Sequence, residues 1–87
     1  MTNIYVSWDF LKARVAEGKT LYYHIGDWNI QLYVLEGPDA YIYYIPRPDK
    51  FDQMVIDDET KNKSQNCYND FVTNYKSNAV ETEGVRD

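Results

Sequence analysis

With one cysteine, one histidine and four isolated glycines among 87 residues, the chain is short of the parts that several kinds of chemistry need. Cys67 alone cannot close an intrachain disulfide, and no Cys/His set stands at zinc-ligand spacing. A fold without a covalent or metal staple, made in a reducing compartment, is expected. His24 has no serine or cysteine in an elbow-like motif beside it, so a nucleophilic triad lacks its parts. Gly18, Gly26, Gly37 and Gly84 lie singly near element ends and build no phosphate-cradling loop. No segment approaches the roughly 18 apolar residues of a membrane span, and "MTNIYVSWDF" lacks the basic-then-apolar order of a secretion signal. Neither a membrane nor a cofactor is therefore expected as a partner.

Cations are scarce as well: nine Lys and Arg against fourteen Asp and Glu leave a formal net charge of -5. Phosphate binding needs clustered Lys and Arg, which argues against direct contact with nucleic acid. The excess falls late, with eight Asp/Glu against four Lys/Arg from Phe51 onward. Asp57, Asp58 and Glu59 are adjacent, whereas a calcium loop alternates its ligands, so this run is read as a solvated acidic loop and not a metal site.

Tyrosine is abundant. There are nine, and six of them lie between Tyr22 and Tyr44. Three β-rich runs carry these six: residues 20–25, 28–36 and 40–45, separated by Gly26-Asp27 and Gly37-Pro38-Asp39 and closed by Pro46-Arg47-Pro48. Such short connections imply antiparallel hairpins. Upstream, residues 7–17 suit a short helix, with Ser7 as N-cap, Asp9 at the positive end of its dipole and Gly18 just past its end. The preceding "NIYV" also has strand character. Downstream, residues 64–79 suit a second, amphipathic helix capped by Ser64 or Asn66, with Cys67, Phe71, Tyr75 and Ala79 at successive i+4 steps on its packing side.

These elements predict one α+β domain over residues 1–87, too small to divide. Its sheet is a three-stranded antiparallel meander, and the C-terminal helix crosses the face formed by Trp28, Ile30, Leu32 and Val34. Residues 46–63 are expected as a long acidic loop and 81–87 as a frayed tail. Three strands and one packing helix leave a second, tyrosine-rich face without a layer. Tyr22, His24, Tyr33 and Tyr44 on that face are the candidate subunit interface, since tyrosine offers rigid area with a polar tip.

Residues 68–80, "YNDFVTNYKSNAV", resemble a segment of small phage-encoded virion proteins. In those proteins a β-rich module is followed by Asp-Phe, two variable residues, Asn-Tyr/Phe-Lys and a small polar cluster. Asp70, Phe71, Asn74, Tyr75, Lys76, Ser77 and Ala79 hold those places, after Phe10-Leu11, "LYYHI", "IQLYVLEG" and "YIYYI" in matching order. The resemblance implies a non-enzymatic subunit of a head, neck or tail. It would be made in the bacterial cytoplasm, housed in the virion, and bound to itself and to neighbouring virion proteins. The competing reading is a small acidic inhibitor of a host defence enzyme that mimics nucleic acid. Mimics line carboxylates along one helix or strand face, whereas these gather in the 57–59 run and the tail, which favours the structural subunit.

Overall fold

The computed structural model describes residues 2–86, and these form a mixed five-stranded sheet with two α-helices. In chain order the elements are β1 (Thr2–Tyr5), α1 (Trp8–Ala16), β2 (Tyr22–Ile25), β3 (Asn29–Glu36), β4 (Asp39–Pro46), α2 (Asp58–Asn74) and β5 (Val80–Glu81). Short 3-10 turns occupy Pro48–Gln53 and Lys76–Asn78.

The three-stranded antiparallel meander is corrected by the strand order β1-β4-β3-β2-β5. Its centre is as read: β2 pairs with β3 and β3 with β4, both antiparallel, across the short turns. Each flank then carries one further strand in parallel, β1 on β4 and β5 on β2. A parallel pair needs a long crossover, and the two helices supply it: α1 carries the chain from β1 to β2, and α2 carries it from β4 to β5. With four and two residues, the flanking strands are too short to show a period of two.

The first helix follows its signals. The Ser7 hydroxyl accepts the Phe10 amide at 3.1 Å, and Gly18 closes the helix at φ 99°. The second helix is displaced from residues 64–79. Its cap is the Asp57 carboxylate, which accepts the Thr60 amide at 2.8 Å, while Asp58 and Glu59 occupy the first turn. Carboxylates at that end meet the positive pole of the helix dipole, so the run read as a solvated loop is a helix start. Ser64, one of the two expected caps, is instead buried inside the helix. The segment 46–63 accordingly holds the end of β4, a 3-10 turn and the beginning of α2.

Both helices lie on one face of the sheet. Trp8 and Leu11 from α1 and Cys67 and Phe71 from α2 enclose a core with Leu21, Tyr23, Ile30, Leu32, Val34 and Ile45. The Phe71 ring, 1% exposed, meets Tyr23 and Trp8 edge-on at centroid distances of 5.2 and 6.4 Å. Tyr75, which caps α2, packs on the same core and stands 5.3 Å from Trp8. Trp28 is not part of this face. It precedes β3, in the turn where the Gly26 amide binds the Asn29 carbonyl and the Arg47 amide binds the Trp28 carbonyl, and its side chain is 51% exposed.

Candidate functional site

The face away from the helices bears the tyrosines, and the chain itself covers part of it. Register places His24, Gln31 and Tyr44 in one row and Tyr22, Tyr33, Ile42 and Tyr5 in the next. After β5 the backbone turns onto these rows. The Thr82 amide binds the Tyr23 carbonyl at 2.8 Å, its carbonyl accepts from His24 Nδ1 at 3.0 Å, and its hydroxyl meets the Tyr33 hydroxyl at 2.7 Å. Since a carbonyl only accepts, His24 carries a proton on Nδ1. Gln31 then imitates a paired strand: its Oε1 accepts the Val85 amide at 2.9 Å and its Nε2 donates to the Val85 carbonyl at 3.1 Å and to the Tyr44 hydroxyl at 3.3 Å. Beyond it, Asn3 Nδ2 donates to the Arg86 carbonyl.

Residues 82–86 are thus a strap held by β2, β3 and β1, where a frayed tail was expected over 81–87; Asp87 lies outside the described residues. The strap seals Tyr33, which is buried in a small cluster with Ala40 and Ile42. Of the other expected interface residues, Tyr22 stacks on Tyr33 at 5.4 Å and stays half-buried, and His24 lies half-buried against the strap. Tyr44 is half-buried and meets Tyr5, itself 60% exposed on the flanking strand β1, at 5.9 Å. The four residues share a face, with Tyr22 and Tyr44 reaching solvent and Tyr33 enclosed.

Tyr44 also lines an open cleft of about 470 Å³ at the end of the sheet. One wall is Trp28, Asn29, Ile45 and Pro46; the other is residues 53–56, which lead from the 3-10 turn toward α2. Val55 there is completely exposed. Next to Pro46, Arg47 Nη1 donates to the Gly26 carbonyl at 2.9 Å, and its Nε and Nη2 donate to Asp49 at 3.1 and 2.7 Å. The ammonium of Lys50 sits 5.7 Å from the centre of the Trp28 ring. Sequence patterning places Trp28 in the core because it continues the alternation of β3, and reads Val55 as part of a long loop or of a short edge strand over 54–56, where the structure has no strand.

A more polar cleft separates the helices. Asp70 accepts from Asn74 at 2.7 Å, Trp8 at 3.0 Å and Lys12 at 3.1 Å. These donors, that of Asn74 foremost, lower its pKa below the ordinary carboxylate value. Cys67 borders the same cleft, and burial, aided by Asp70, raises its thiol to about 12. The thiol is therefore protonated and a poor nucleophile at neutral pH. Among the described residues, no three of His, Cys, Asp and Glu converge on a common point for a metal ion, and no helix is long and apolar enough to cross a membrane. No family model, curated protein or solved structure matches the chain.

Proposed function

We propose that the protein is a non-enzymatic subunit of a phage particle, in its head, neck or tail, and that it acts through contacts with copies of itself and with neighbouring virion proteins. The observation that carries this reading is a run of apolar side chains in which exposed Tyr5 packs on half-buried Tyr44, which in turn lines the end cleft with exposed Trp28 and Val55. Large exposed aromatics in one connected patch are the usual core of a protein contact, and a domain this small gains stability from having them covered. The strap encloses Tyr33 and leaves Tyr5, Tyr22 and Tyr44 reaching solvent, which supports self-contact on the part of the face that it does not cover.

The resemblance of residues 68–80 to virion proteins gives the setting. The test is mass spectrometry of purified particles of a phage that encodes the chain. The protein is expected at a stoichiometric level with other structural proteins. Absence from particles, together with tight binding of a monomer to a host nuclease, refutes this reading and supports the inhibitor reading.

A further inference from the structure

We propose that the cleft at the end of the sheet receives an apolar anchor from a cationic segment of a neighbouring protein. This rests on the reading of the chain as a contact subunit, and it assigns the second of its two kinds of contact. The cleft is lined chiefly by Trp28, Tyr44, Ile45, Pro46, Met54 and Val55, and its volume of about 470 Å³ suits one or two large side chains. Trp28 and Val55 project from opposite walls, and residues so exposed are available to a partner without rearrangement of the fold.

Charge identifies the partner. From residue 47 to residue 59, the stretch that makes the outer wall and its flanks, five carboxylates stand against two cations. Asp52 and Asp57 flank the wall directly, Asp58 and Glu59 follow, and all four are exposed. Arg47 and Asp49 pair with each other, which leaves four carboxylates against the second cation. That cation, Lys50, has its ammonium 5.7 Å from the centre of the Trp28 ring, a cation–π contact within the chain. A second copy of the chain would bring its own net charge of -5 toward this rim, a like-charge approach that disfavours self-contact here. A segment with Lys or Arg on both sides of a Leu, Met or aromatic anchor satisfies the rim and the cleft together.

The probes are short labelled peptides of equal length that alternate Lys with Leu, Lys with Ser, or Glu with Leu, titrated into the full chain by fluorescence polarisation. The Lys/Leu peptide is expected to bind at least about tenfold more tightly than either of the others. Val55→Ser, at a position that packs on nothing, and Trp28→Ala should each weaken it by about tenfold, with added salt weakening it further. Equal binding of the Lys/Ser peptide would reduce the site to nonspecific charge, and equal binding of the Glu/Leu peptide would remove the charge argument. No binding, or binding unchanged in Val55→Ser, overturns the assignment of the cleft. Should the protein assemble and occur in particles while no peptide binds, this inference alone fails. Should it bind the Lys/Leu peptide through the cleft yet be monomeric and absent from particles, the particle-subunit reading fails and the cleft stands.

Discussion

Gly84→Ala tests whether the strap is pressed onto the sheet. Gly84 has φ 84°, where an added Cβ strains the backbone by about 1–2 kcal/mol. That Cβ would also lie 2.7 Å from Gln31 Oε1 and 3.0 Å from two atoms of the His24 ring. The Gln31 amide can swing away, but only by releasing the Val85 amide, which costs about 1 kcal/mol more. The His24 ring is pinned through Nδ1 to the Thr82 carbonyl and has less room to move. A total loss of about 2–3 kcal/mol follows. Detachment of the strap would limit this figure, because the chain can escape the clash by giving up its contacts.

Gly18→Ala is the internal control, since Gly18 has φ 99° but nothing within 4 Å of the added Cβ. It should show the backbone strain alone. Chemical denaturation of both variants gives the two losses, and hydrogen exchange at the Val85 amide shows whether the strap has lifted. If Gly84→Ala costs no more than Gly18→Ala, and exchange at Val85 is already fast in the unmodified chain, the strap does not bind the tyrosine face as described.

Three further outcomes follow from the packing. Phe71→Ala, which empties a site closed by Trp8 and Tyr23, should lower stability by about 3–5 kcal/mol in a thermal or urea melt, and an unchanged midpoint would take α2 out of the core. Cys67 should resist a thiol reagent at mildly alkaline pH until urea unfolds the chain, because its thiol is buried and titrates near 12; rapid labelling of the folded protein would contradict that burial. Asp70 is lowered in the fold, so its contribution is present above the unfolded carboxylate value of about 3.9 and fades as pH falls through the lower folded value. Asp70→Asn should therefore flatten the acid limb of stability against pH, and an unaltered limb would mean that its three donors do not hold it.

The middle of the sheet was readable because its signals are local. Alternation in residues 28–36 and the turns at Gly26 and Gly37 specify hairpins without knowledge of the rest of the chain. The flanking strands depend on tertiary context: β5 is two residues long and exists because α2 delivers it beside β2. Asp57, Asp58 and Glu59 carry two messages, solvation and helix initiation, and only the helix that follows distinguishes them. The strap was illegible for a different reason. Its residues Thr82, Glu83 and Gly84 look like a frayed end, and the strap's partners, His24 for Thr82 and Gln31 for Val85, are more than fifty positions away. The same distance hid the fate of the tyrosine face. Its composition raises the expectation of a subunit contact, and the sequence does not reveal that Tyr33 is met from within the chain.

The central claim, that an exposed aromatic surface joins copies of this protein, is tested most directly by multi-angle light scattering of the full chain over a wide concentration range. The expected result is a defined multiple of the 10.3 kDa chain mass that falls back toward the monomer when Tyr5 and Tyr44 are both replaced by serine. A mass of 10.3 kDa at every concentration would contradict it.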